Sequence, residues 1–109
     1  MTRRHLSKHH PLWDLELCVR RGLYPENPIL LHRYIDFGAE RSRWTDNKRI
    51  FQVILDAIND QSVASHWRLI CLENAYKPLA AMRLFAKCHA DRKATVACED
   101  SLRRVKPFL

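Results

Sequence analysis

The chain has 109 residues, 47% of them hydrophobic, and a net charge of +7. This length fits one domain with one modest core, and only 2 glycines argue against an all-β fold, which needs many turn residues. Neither a long apolar run nor an apolar stretch after the basic start is present, so neither a membrane span nor a secretory signal is expected. We predict a cytoplasmic all-α protein, a compact bundle of about five short helices with basic, flexible termini.

The first two helices are marked by proline at the start and glycine at the end. Pro11 opens a helix that runs until Gly22 ends it, because proline suits a first helical turn and glycine the position after the last. Asn27 and Pro28 open the second helix in the same way, and Gly38 is expected to end or loosen it near residues 39–43. Apolar residues recur at helical spacing in both segments.

The third helix has the clearest amphipathic pattern. Thr45 and Asp46 are suitable first residues, since side-chain oxygens cap a helix start. A stripe at three- and four-residue steps follows, consisting of Ile50, Phe51, Ile54, Leu55 and Ile58. This spacing predicts a helix with one buried face.

Two further helices are predicted over residues 63–76 and 78–90. They are separated at Lys77-Pro78, because the residue before a proline avoids the α region. A weaker segment follows, in which Thr95 or Ser101 would serve as a helix cap.

The two ends of the chain are basic. Residues 1–10 and 101–109 each carry three cations and no acid, which divides the chain into a basic arm, a helical domain over 11–100 and a basic tail. Arginine outnumbers lysine 13 to 6, and its planar fork suits phosphate. The terminal arginines expected to bind a polyanion without sequence choice are Arg3, Arg4, Arg103 and Arg104. A solvated basic surface that keeps the protein soluble is the alternative.

A tryptophan surrounded by cations stands in the predicted loop before the third helix. The members of this cluster are Arg41, Arg43, Trp44, Lys48 and Arg49. A stacking residue among cations can hold phosphates and stack a base, and it can equally anchor a protein partner within an arginine rim. A third interpretation is that Trp44 closes the core over a helix end.

The third and fourth helices, with the polar turn between them, have the outline of a helix-turn-helix hairpin over residues 46–77. Its second helix is expected to expose Ser65, His66 and Arg68. Arg68 would contact a guanine edge, and Ser65 or His66 a phosphate or a base. The alternative is an ordinary helical hairpin whose second helix belongs to the core.

Catalytic and metal-binding motifs are missing from the sequence. The 4 cysteines and 6 histidines lack the paired spacings of structural zinc, and neither a nucleophile elbow, a P-loop nor an HExxH run occurs. We therefore expect neither enzyme activity nor a metal nor a cofactor. The cysteines suit small core positions in a reducing compartment, with one or two disulfides as the alternative.

The middle of the chain resembles small enterobacterial transcription activators of the PerC type. The resemblance rests on Phe51–Leu55, Arg68 and Cys71-Leu72. The run Gly-Leu-Tyr-Arg-Arg-Ala-Ala typical of that family is absent, because Gly22-Leu23-Tyr24 is followed by Pro25. We therefore assign no family and carry no residue role over.

Charge and pattern together favour a small basic regulatory protein of a bacterium, phage or plasmid that binds nucleic acid, DNA rather than RNA. The alternative is a non-enzymatic adaptor or inhibitor that docks on an acidic protein. The short helices also leave a homodimer open, since an apolar stripe of one copy could be covered by another.

Overall fold

The computed structural model describes residues 12–105 and, among these, the side chains of residues 14–105. This range forms six helices and contains no strand, which confirms the predicted all-α bundle. None of these helices has the length and apolarity needed to cross a membrane. The helices are α1 (Leu12–Arg21), α2 (Ile29–Arg41), α3 (Trp44–Asn59), α4 (Ser65–Asn74), α5 (Tyr76–Phe85) and α6 (His89–Arg103).

Helix α3 is the centre of the bundle and packs against each of the other five helices. The predicted apolar stripe is buried, and additional positions widen it to more than one face. Fully burying one large apolar side chain contributes roughly 1.5–3 kcal/mol, so this helix supplies much of the core. Its buried residues are Asn47, Ile50, Phe51, Ile54, Leu55, Ala57 and Ile58.

A buried tryptophan joins α4 to the end of α1. Trp67 is fully buried, and its Nε1 donates a hydrogen bond to the backbone oxygen of Val19 at 2.8 Å. Gly22 follows α1 with a φ of +59°, a left-handed conformation that favours glycine. A Cβ on Gly22 would lie 2.8 Å from Trp67 Cδ1, so both backbone and packing require glycine here.

The end of α2 lies within the predicted range of residues 39–43, but Gly38 itself is inside the helix. The helix continues to Arg41, and Ser42 follows it in the left-handed conformation. Gly38 is buried against α3, where a Cβ would lie 2.6 Å from both Asn47 Oδ1 and Ile50 Cδ1. The glycine therefore allows two helices to approach closely, and a helix tolerates this at a modest cost in propensity.

The predicted boundary at Lys77-Pro78 is also displaced. Helix α4 ends before Ala75, and α5 begins at Tyr76, so Pro78 lies in the first turn of α5, where it is buried. Backbone N–H groups in a first turn have no partner within the helix. Proline is therefore tolerated there, and the break falls upstream of it.

The weak C-terminal segment is a helix of 15 residues. Thr95 and Ser101 are not its caps. Their hydroxyls donate back to the carbonyls of Asp91 at 2.8 Å and Ala97 at 3.1 Å. The apolar pattern of this segment is a weak signal for a helix. Helix α6 is stabilised by its packing on α5 and α3, and tertiary packing is the common source of helix stability in proteins.

Candidate nucleic-acid interface

The segment 41–49 is not the loop that the sequence predicted. Helix α3 begins at Trp44, and Arg43 precedes it with an extended backbone. The buried side-chain amide of Asn47 donates to the carbonyls of Arg43 at 2.8 Å and Gly38 at 3.0 Å. These bonds tie the first turn of α3 to the preceding chain and to α2.

Trp44 is half-buried and packs against the core. Its indole Nε1 donates to Thr95 Oγ1 of α6 at 2.9 Å. The interpretation in which this tryptophan closes the core over a helix end therefore matches the geometry. The indole N–H is engaged inside the fold.

Two of the four cations around Trp44 are paired with acids of the same chain. Arg41 Nε lies 3.0 Å from Asp46 Oδ2, and the guanidinium stacks over a phenylalanine ring at 5.2 Å. Arg49 binds both carboxylate oxygens of Glu16 at 2.8 Å. The hydrogen bonds from Arg49 and from the hydroxyl of Tyr34 hold the pKa of Glu16 below its usual value, against the opposing effect of burial.

Arg68 is buried, which makes its predicted exposure on α4 wrong. Its Nε donates to the carbonyl of Ile58 at 2.7 Å. A carbonyl in the last turn of a helix has no partner within that helix, so this bond satisfies the end of α3. Ser65 and His66 are exposed in the first turn of α4, as predicted.

The described C-terminal arginines differ in their surroundings. Arg103 belongs to the last turn of α6 and pairs with Asp100 at 2.7 Å. Arg104 is exposed beside a cleft formed with Leu55 and Asn59 of α3. Arg3 and Arg4, with the rest of the predicted N-terminal arm and residues 106–109 of the tail, lie outside the described residues.

Helices α3 and α6 run in the same direction, with the start of α3 beside the middle of α6. Trp44, the first residue of α3, bonds Thr95, the seventh of the 15 residues of α6, and Asn59 shares a cleft with Arg104 near the helix ends. Between these points, the charge of Lys48 on α3 is near enough to affect the pKa of a cysteine on α6. Two stretches of sequence far apart in the chain therefore lie side by side.

Five cations near this contact in the chain form no ion pair within residues 14–105. We call them the basic end, and they are Arg43 and Lys48 at the start of α3, Lys87 just before α6, and Arg92 and Lys93 in the first half of α6. Arg92 lines the same cleft as Thr95, the partner of Trp44. Two acids that form no ion pair within the described residues, Glu40 and Asp91, stand close to these cations along the chain, and Asp91 accepts a hydrogen bond from the backbone of residue 87. The charge of the basic end with these acids is therefore positive.

Three members of the basic end, Lys87, Arg92 and Lys93, were missed by the sequence analysis. A signal was available, since residues 83–93 carry four cations and one acid. In the structure Arg92 also lines a cleft of about 280 Å³ between α5 and α6. The other arginine of that cleft, Arg83, is paired with Glu99.

The cysteines are free, and two of them, Cys71 and Cys98, are buried. Burial raises the pKa of Cys71 to about 12 and also raises the pKa of Cys98. Burial, and next the charge of Asp14, raise the pKa of Cys18. These thiols stay protonated at neutral pH and are weak nucleophiles. In the described part of the chain, three or more metal-ligating side chains do not come together.

Comparison of the chain with models of protein families, with curated proteins and with solved structures found no match.

Proposed function

We propose that the protein is a small, basic, non-enzymatic regulatory protein that binds nucleic acid, DNA rather than RNA, chiefly through the phosphate backbone. The observation that supports this most is the basic end, whose five cations lie at or just before the starts of α3 and α6 or in the first half of α6, and form no ion pair within residues 14–105. When cationic side chains of a protein replace the counterions condensed on DNA, the released counterions supply most of the protein's non-specific affinity for DNA.

Contacts to phosphate are favoured over contacts to bases for a physical reason. The arginine that the hairpin 46–77 would need for a guanine edge, Arg68, is held at the end of α3. Ser65 and His66 remain exposed on α4 and would supply short polar contacts. Phosphate contacts position a protein on DNA without selecting a sequence, so we expect modest discrimination between sequences.

The chain ends belong to the same proposal on the strength of their charge. Arg3, Arg4 and Arg104 would add phosphate contacts, and Arg103 would do so less because Asp100 already pairs with it. Arg41 and Arg49 are discounted in the same way, since each is bound to a carboxylate of the same chain.

The test is a titration of a fluorescently labelled, mixed-sequence DNA duplex, followed by anisotropy at several salt concentrations. A double variant, Arg92→Ala with Lys93→Ala, removes two cations of the basic end. If both contact phosphate, the slope of log K against log salt becomes shallower by about 1.8. The same titration with single-stranded RNA checks the preference for DNA.

The matched control is Arg33→Ala with Lys77→Ala, which removes the same charge from α2 and α5. Neither residue forms an ion pair within the described range. For this control variant, the slope of log K against log salt should stay close to that of the wild type. Equal losses in both double variants would contradict the basic end as the interface, and absence of binding at low salt would contradict nucleic-acid binding itself.

The second candidate is an adaptor or inhibitor that docks on an acidic protein. The basic end favours it too, because guanidinium groups bind carboxylates as readily as phosphates. The anchor first considered, Trp44, bonds Thr95 inside the fold, so docking would rest on charge. Binding to polyglutamate that depends on Arg92 and Lys93, together with no binding to DNA, would favour this candidate.

A further inference from the structure

The hairpin of α1 and α2 exposes a cluster of large apolar side chains. Leu17 is 42% exposed, Leu23 51%, Tyr24 59% and Ile29 57%. A cleft of about 410 Å³ runs between the two helices and includes the first three of these residues. Clustered apolar side chains on a surface mark an interaction site more often than scattered ones do.

One face of α1 carries a symmetric charge pattern across this cluster. Asp14, Leu17, Cys18 and Arg21 follow at steps of three, one and three residues, so they share a face of the helix. Neither Asp14 nor Arg21 forms an ion pair within the described residues. Both charges also complement the helix dipole, but the dipole does not account for an exposed leucine between them.

A face with an acid at one end and a base at the other complements itself when reversed. A two-fold interface requires this, because residue i of one copy meets residue j of the other and the reverse. With the axis between Leu17 and Cys18, Asp14 and Arg21 each lie about 5 Å along the helix from the axis. Each aspartate then meets the opposite arginine.

We propose that this face binds a second copy of the chain, with the two α1 helices antiparallel about a two-fold axis. Asp14 pairs with the partner subunit's Arg21, Arg21 pairs with the partner subunit's Asp14, and Leu17 packs against the partner subunit's Cys18. Leu23 and Tyr24 follow Arg21 directly and extend the apolar contact beyond the charged pair. A partner for this face must carry a helix with the charges in the reverse order. The α1 helix of a second copy, placed antiparallel, meets this requirement.

The dimer is independent of the proposed nucleic-acid interface. The dimer face consists of Asp14, Leu17, Cys18 and Arg21 on α1 with Leu23 and Tyr24 after it, and it shares no residue with the basic end. The two proposals are therefore tested by different variants. Failure of DNA binding would not affect the dimer, and a monomer would not contradict DNA binding.

The experiment measures molar mass by sedimentation equilibrium over a wide range of protein concentration. The wild-type chain should dimerise as concentration rises. Asp14→Arg puts two arginines together at both contacts, and Arg21→Asp puts two aspartates together. Each variant alone should weaken the dimer by at least about tenfold, since like charges in an interface are strongly unfavourable. Circular dichroism verifies that each variant keeps its helix content.

Mixing the two variants provides the decisive result. A chain with arginine at both positions complements a chain with aspartate at both, so the equimolar mixture should regain dimers of nearly wild-type affinity. The control Asp56→Arg makes the same charge change on an exposed position of α3 and should dimerise like the wild type. A wild-type chain that stays monomeric, single variants that dimerise normally, or a mixture that stays monomeric would each overturn the proposal.

Discussion

Replacing Gly22 with alanine should destabilise the protein strongly. The φ of Gly22 is +59°, and a side chain in the left-handed conformation costs roughly 1–2 kcal/mol. The added Cβ would also lie 2.8 Å from Trp67 Cδ1 and 3.0 Å from Val63 Cγ1. Real Cβ atoms essentially never approach a neighbour as closely as the first of these distances, so the packing must shift.

The neighbours cannot move aside at low cost. Trp67 is fully buried, and displacing it would stretch its hydrogen bond to the carbonyl of Val19, which measures 2.8 Å. Overpacking a closed core costs typically 1–3 kcal/mol. Together with the backbone cost, Gly22→Ala should lower the free energy of unfolding by roughly 3 kcal/mol. For a domain of this size, that lowers Tm by roughly 12–20 °C.

Thermal unfolding followed by circular dichroism, with urea titration followed by tryptophan fluorescence, measures this change. The control is Ser42→Gly, because Ser42 also has a positive φ of 56° but is exposed. Glycine at this position relieves backbone strain in the folded state but gives the unfolded chain more conformational freedom. Because the two effects oppose each other, the free energy of unfolding should change by no more than about 0.5 kcal/mol. A Tm for Gly22→Ala within about 4 °C of wild type would refute the close approach of Gly22 to Trp67.

Three further substitutions test single contacts. Trp44→Phe keeps the packed ring and loses the bond to Thr95, so urea titration should show a loss of about 1 kcal/mol with DNA affinity unchanged; the reverse pattern would make Trp44 a contact residue. Arg68→Ala removes the Nε donor to a helix-end carbonyl and should cost roughly 2–3 kcal/mol; an unchanged urea midpoint would contradict its structural role. Glu16→Gln should lower Tm at neutral pH but not at strongly acidic pH. The folded pKa of Glu16 lies below 4.5, so the stabilisation is present above that value and is lost as pH falls through the folded pKa. A difference in Tm that persists in acid would contradict this assignment.

Local pattern predicted the helices wherever an apolar stripe and an end signal agreed. The stripe that begins at Ile50 is buried in α3, because residues three and four apart necessarily share a helix face. The chain reversal after α1 falls at Gly22 as predicted, since its φ suits glycine. Gly38 and Pro78 carry the same residue-type signals but lie inside helices, because a close approach or a first-turn position also selects them.

The predicted exposure of the candidate site residues was less accurate. Whether a side chain is exposed depends on its tertiary contacts, which the local pattern does not specify. Arg68 was expected to point away from the hairpin, yet its side chain turns back and donates to the carbonyl of Ile58 at the end of α3. Trp44 is surrounded by cations in sequence, yet its partner Thr95 stands 51 residues later. Neither contact has a local sequence signal, since nothing in the neighbouring residues specifies which helix will cover them.

The sequence by itself determined the class of the fold, its helix-rich core and its excess of positive charge, because these depend on composition and on periods of three and four residues. The tertiary structure alone decided which cations pair with acids, which arginine is buried, and that the start of α3 lies beside the middle of α6. Those properties depend on distances between residues remote in the chain, and only the packing of the helices around α3 brings such residues together.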